Sequence, residues 1–215
     1  MARTAKHSKQ ELRDMALAAA RAVIAEQGSS DITVRAVAAR MGYSVGTIYN
    51  IFEGLEELIA SLNAETLDAL HDALARTPVT GKPETDLHAL LDRYLEFVAA
   101  NRREWTMMFD ERLPEAKAPP AWYLEKVARV FTLLGHMLQP LFGPGEEDDL
   151  TRAVRLLWIA MHGLWTLDAG GKLFIVTQDP VEKVAHDMVD LYLAGLGAAG
   201  LRSSPTPQCP QEGDP

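Results

Sequence analysis

Thr33 to Phe52 reads TVRAVAARMGYSVGTIYNIF, and the rest of the fold can be built outward from it. Thr33 is a side-chain N-cap for a short helix, VRAVAARM, whose Val34, Val37, Ala38 and Met41 recur at helical spacing on one face. Gly42 ends it, because glycine enters the left-handed backbone region at no steric cost. Ser44 then caps a second short helix, VGTIYNIF, in which Ile48 and Phe52 point inward. Gly46, Thr47, Tyr49 and Asn50 are left over: a core helix needs none of them.

Upstream, Ser8 to Glu11 (SKQE) forms a capping box that starts a helix through LRDMALAAARAVIAEQ, with Leu12, Met15, Ala19 and Val23 spaced for one face and Gly28 as its stop. Downstream, Leu58, Leu62, Leu67 and Leu70 stripe a helix from about 55 to 76, which ends at the Pro/Gly linker TPVTGKP. Only helices follow, over about 84–100, 102–111, 120–138, 147–168 and 180–198. KLFIV could pass for a strand but stands alone between two long helices, and is read as an ordered loop. The expected fold is all-α, with about nine helices, in two domains: residues 1–54, and 55–200. A tail over 201–215, without apolar pattern, is expected to be disordered.

The 215 residues are 47% hydrophobic, enough for a substantial core, and the formal net charge is −9. The sign changes along the chain. Residues 1–53 carry seven Lys/Arg against five acids, and residues 54–215 fourteen against twenty-five. An anion-facing N-terminal module on an acidic body fits that asymmetry. The lone Cys209 excludes an intramolecular disulfide and a cysteine metal site. No apolar run reaches the roughly 20 residues of a membrane helix, and the polar N-terminus lacks a signal peptide's apolar segment, so a cytoplasmic protein with no membrane partner is predicted.

Two short helices joined by a glycine turn form a helix-turn-helix, whose second helix enters the major groove by its N-terminal end. Gly46 removes bulk where backbone must approach DNA. Thr47 and Tyr49 offer hydroxyls to phosphates, and Asn50 suits either a base edge or a phosphate. The run TVRAVAARMGYSVGTIYNIFEGLEELI closely resembles the DNA-binding half of the TetR family, the tetracycline-repressor-like bacterial transcription regulators. The likeness spans roughly residues 8–65 and rests on Thr33, Val37-Ala38, Gly42-Tyr43-Ser44, Gly46 to Tyr49, Phe52 and Glu56-Glu57-Leu58. It implies that Thr33, Ser44, Thr47 and Tyr49 hold phosphates and that Val45, Gly46 and Asn50 face bases, with Arg35 a further contact. Two positions depart from the family's pattern. Leu55 replaces a lysine that usually reaches phosphate, and Ile51 stands where a histidine is frequent, which shifts weight to the basic arm of Arg3, Lys6 and Lys9 or to a different operator.

The resemblance also implies a double-stranded DNA operator, a small-molecule effector sensed by the C-terminal domain, and a homodimer; repression is the family's common mode. Candidate effector residues are Trp105, Met108 and Phe109, Trp122, and Trp158, Met161, His162 and Trp165. Aromatic and Met side chains suit an adaptable apolar pocket, and they equally suit a core. WIAMHGLWTLDAGG resembles a TetR subgroup with a Trp followed by a His-Gly pair in its penultimate long helix. His162 either lines a cavity or satisfies a buried polar contact. Gly163 permits close helix approach. The last helix combines Val184, Met188, Leu191 and Leu193 with the small Ala194, Gly195, Ala198 and Ala199, so the last two long helices are the expected dimer surface. Asp68 and His71 have metal-ligand spacing but no partner motif, and no hydrolase triad or phosphate loop is present. No metal, cofactor or enzymatic activity is expected.

Overall fold

The computed structural model describes residues 7–28, 32–109 and 119–199. Among these, nine α-helices and no strands occur: α1 (Lys9–Gln27), α2 (Val34–Met41), α3 (Val45–Tyr49), α4 (Leu55–Leu74), α5 (Pro83–Ala100), α6 (Arg102–Met108), α7 (Ala121–Leu138), α8 (Glu147–Ala169) and α9 (Val181–Ala199). The chain falls into two compact units. One comprises residues 1–76 and 94–130; the other comprises 77–93 and 131–215.

In the first unit the expected helix signals are met by specific bonds. Ser8 Oγ accepts from the Glu11 backbone N–H at 3.2 Å, while Glu11 returns a carboxylate oxygen to the Ser8 N–H at 2.6 Å. Those Ser8 bonds hold the Glu11 carboxyl below the usual carboxylate range. Thr33 Oγ1 accepts from Ala36 N–H at 3.0 Å. Gly42 takes the left-handed conformation, φ 72° and ψ 27°, and there α2 stops. The core of this unit joins Ala16, Ala20 and Ile24 of α1, Val37 and Ala38 of α2, Ile48 and Phe52 at α3, and Leu58 and Leu62 of α4. Met107 of α6 belongs to the same cluster.

α3 is shorter than its sequence suggests. It ends at Tyr49, with Asn50 as C-cap, instead of running to Phe52. In the turn that follows, Glu57 brings its carboxylate back onto the Glu53 N–H at 2.7 Å before α4 begins at Leu55. Leu55 packs against the core and Ile51 is buried within it, so both departures from the family pattern are used for packing.

In the second unit α8 buries Ala153, Val154, Leu157, Leu164 and Trp165. α9 is held to it by the Tyr192 hydroxyl, which donates to the Ala153 carbonyl at 2.7 Å. KLFIV contains a 3-10 turn, Leu173–Ile175, anchored by buried Leu173. The loop into α5 closes on Asp86, a buried carboxylate that accepts from Thr80 Oγ1 and from the Thr80 and Gly81 backbone N–H groups. These bonds hold its carboxyl below the ordinary value, the Thr80 hydroxyl foremost. The expected tail over 201–215 and residues 110–111 of the sixth helix lie outside the described residues.

Candidate DNA-binding surface and effector site

The inward and outward faces of α3 separate cleanly. Ile48 is fully buried and Phe52 nearly so, while Val45, Tyr49 and Asn50 are exposed, Tyr49 by 57%. Ser44 Oγ accepts from the Thr47 N–H at 3.3 Å and lies 3.1 Å from Thr47 Oγ1, so the two hydroxyls at the helix start form one polar edge. Thr33 does the same for α2, and Arg35 beside it is exposed.

Gly46 carries a specific message. A Cβ placed there would meet only Ser44 Oγ, at 3.7 Å, an ordinary contact. Among the described residues nothing requires glycine at this position, although glycine in a helix costs up to about 1 kcal/mol relative to alanine. The missing side chain therefore leaves room on the outer surface.

Charge on this face is more selective than the sequence count suggests. Arg40 is engaged by both carboxylate oxygens of Glu26, at 2.6 and 2.7 Å. Arg21 pairs with Glu65. Arg13 lies over the Phe52 ring at 4.4 Å while bonding Ser61 and Glu57. These three arginines brace helices against one another, and Arg35 and Lys9 remain exposed. An open cleft is lined by Lys9, Gln10, Arg13, Tyr49 and Asn50, placing the start of α1 beside the end of α3. Gln10 is an addition to the sequence-derived set; its only signal is being one helical position from Lys9. Arg3 and Lys6 of the basic arm lie outside the described residues.

The candidate effector residues form two groups. In the first unit Trp105 is fully buried, with its ring edge-on to Tyr94 (5.6 Å), Phe97 (6.3 Å) and Phe109 (5.3 Å). Met108 is buried near it on α6, whereas Phe109 and Trp122 are more than a third exposed, Trp122 against Tyr123. Burial pushes the Tyr94 and Tyr123 phenols up. Tyr94 and Phe97 were missed from sequence; their three-residue spacing in DRYLEF is the signal that marks them. In the second unit Trp158 meets Phe131 edge-on at 5.4 Å and stacks near His162 at 6.2 Å. Met161 and His162 are half-buried and Trp165 is buried. Burial lowers the His162 imidazole from its ordinary value, favouring the neutral ring.

α6 connects one group to the DNA-facing half. The short helix that carries Trp105 and Met108 also places Met107 in the helix-turn-helix core, and Arg103 donates to the Ala25 carbonyl near the end of α1 at 2.6 Å. Asp68 and His71, the pair with metal-ligand spacing, instead meet cations: Asp68 pairs with Lys126 and Arg129, and His71 lies 3.1 Å from Arg129. Among the described residues no helix is long and apolar enough to cross a membrane.

A helix-turn-helix with an outward second helix, followed by further helices, is the architecture of a DNA-binding protein. Residues 16–62 match the family described as bacterial regulatory proteins, tetR family, and residues 87–192 match the tetracyclin repressor-like C-terminal domain. The chain belongs to the TetR family of transcriptional regulators. No curated protein matches it. Solved structures resemble it over most of their length. One, a Rhodococcus sp. RHA1 protein of unknown function, is 23% identical, with TM-score 0.68 over 90% of this chain and 98% of that one. A transcriptional regulator from the same organism is 24% identical, with TM-score 0.64, covering 85% and 96%. Thermus thermophilus FadR, a TetR-family transcriptional repressor solved in complex with lauroyl-CoA, is 20% identical, with TM-score 0.61, covering 91% and 98%.

Proposed function

We propose that the chain acts as a homodimeric repressor, released from a palindromic DNA operator when a small apolar or amphipathic effector binds its C-terminal domain, and that it has no enzymatic activity and needs no cofactor. In this reading residues 1–54 are the DNA-binding head, 55–200 sense the effector and dimerise, and 201–215 form a tail, all in the cytoplasm. The observation that carries it is the outer face of α3: Val45, Gly46, Tyr49 and Asn50 are open to solvent, and among the described residues nothing packs closely on the space a Cβ at Gly46 would fill. One such helix reads only a few base pairs, so useful specificity requires two copies set about one turn of DNA apart, or a multiple of it.

Support for pairing comes from α8 and α9. Leu156, Ile159 and Leu167 are exposed along one stripe of α8, and Leu191 of α9 is 75% exposed. Gly163, Gly195 and Gly197 have nothing within 4 Å of an added Cβ among the described residues, so their smallness serves no described neighbour and leaves space for a partner helix. Support for an effector that controls the heads comes from α6, where residues suited to an apolar ligand share one short helix with the Met107 and Arg103 contacts to the helix-turn-helix half. Selection of bound duplexes from a random pool by the purified chain tests the reading. A two-fold symmetric site is expected. Tyr49→Phe should then weaken binding to all sequences, and Asn50→Ala should also relax base preference. Unchanged binding by both variants would remove α3 from the interface.

A further inference from the structure

α5 and α9 carry the same five-residue pattern, His88-x-x-x-Asp92 and His186-x-x-x-Asp190, and within the second unit the two copies are cross-bonded. His88 Nε2 lies 2.7 Å from Asp190 Oδ1, and His186 Nε2 lies 2.9 Å from Asp92 Oδ1. A carboxylate only accepts, so each Nε2 carries a proton, and a ring without a second proton presents a lone pair at Nδ1. The two Nδ1 positions face one another: the atoms are 2.6 Å apart, the rings near-parallel at 16°. Two bare acceptors at that distance repel, so a positive centre belongs between them, either one proton shared by the two nitrogens or a metal ion.

We propose that this position is a binding site for a divalent transition-metal ion of the zinc class, held by His88 Nδ1 and His186 Nδ1. Each ring has its outer N–H donated to a carboxylate, the arrangement that fixes a metal-binding histidine's tautomer and orientation and raises its basicity. Imidazole nitrogen selects Zn²⁺, Cu²⁺ or Ni²⁺ over Mg²⁺ and Ca²⁺. Tetrahedral zinc with bonds of about 2.0–2.1 Å sets its nitrogens about 3.3 Å apart, so the rings must part by roughly 0.7 Å on loading. No group of three or more His, Cys, Asp or Glu side chains among the described residues is arranged to hold a metal ion, so water fills the remaining positions. The rings allow this, His88 being 24% and His186 33% exposed. The ion ties α5 to α9. This site does not depend on the DNA-binding reading.

The test uses full-length, untagged, metal-stripped protein titrated with ZnCl2 by calorimetry, with thermal melting in parallel. One zinc per chain and a raised Tm are expected. His88→Ala with His186→Ala should abolish both effects while His7, His71, His136 and His162 remain. Asp92→Asn and Asp190→Asn keep both ring ligands, so they should still bind, roughly 10- to 100-fold more weakly. Absence of saturable binding to the wild type, leaving a shared proton as the only occupant, would overturn the proposal. So would zinc binding that survives in the double histidine variant, or that is unaffected by both asparagine variants.

Discussion

At the scale of single residues, the informative positions are those whose identity the chain's own packing does not explain. Gly46 is the sharpest. Alanine there meets only Ser44 Oγ at ordinary distance, so Gly46→Ala should leave stability unchanged or raise it by up to about 1 kcal/mol. Operator affinity should nevertheless fall, because the added methyl lies on the face proposed to meet DNA. Equal affinity in an anisotropy titration would show that nothing approaches that spot closely. His162 gives a pH prediction. Burial lowers its imidazole, so the folded chain binds the proton more weakly than the unfolded chain does. Stability is then lost as pH falls through the unfolded imidazole value, about 6.5. The drop in Tm between pH 7.5 and 5.5 should be smaller in His162→Asn than in the wild type; identical drops would remove His162 as a source of acid sensitivity.

At the scale of elements, most helices were legible because their starts and stops are written in adjacent residues. Ser8 with Glu11, Thr33, Gly42 and Ser44 act over three or four positions, and the structure uses each as its sequence suggests. The end of α3 was not legible: Ile48 and Phe52 keep the inward spacing of a continuing helix, yet the helix ends at Tyr49 with Asn50 as its C-cap. Nor was the use of the cations. Arg13, Arg21 and Arg40 look identical to Arg35 in a charge count, and only the fold assigns them to Glu57, Glu65 and Glu26. The His88–His186 contact joins positions 98 residues apart, beyond any local pattern. The α8–α9 junction offers an element-scale test. The half-buried Tyr192 phenol, pushed up to about 12 by desolvation, donates a hydrogen bond to a backbone carbonyl, and Tyr192→Phe leaves that carbonyl without this donor. A loss of about 1 kcal/mol is expected in chemical denaturation. An unchanged midpoint would mean that the bond contributes nothing to holding α9 on α8.

At the scale of the whole molecule, the account stands on pairing. A head of about fifty residues with one reading helix gains specificity only from a second copy, and α8 and α9 leave Leu156, Ile159, Leu167 and Leu191 exposed beside glycines that serve no described neighbour. Leu191→Asp should place a charge in that surface without disturbing the chain's own core, because Leu191 is 75% exposed. Sedimentation velocity on the wild type and on this variant, each alone and with a duplex carrying the selected site, tests the claim most directly. The account predicts a wild-type dimer that binds one duplex with two chains. For Leu191→Asp it predicts a monomer of unchanged helical content that no longer holds the duplex. A wild type that is monomeric at micromolar concentration both free and on DNA would contradict it.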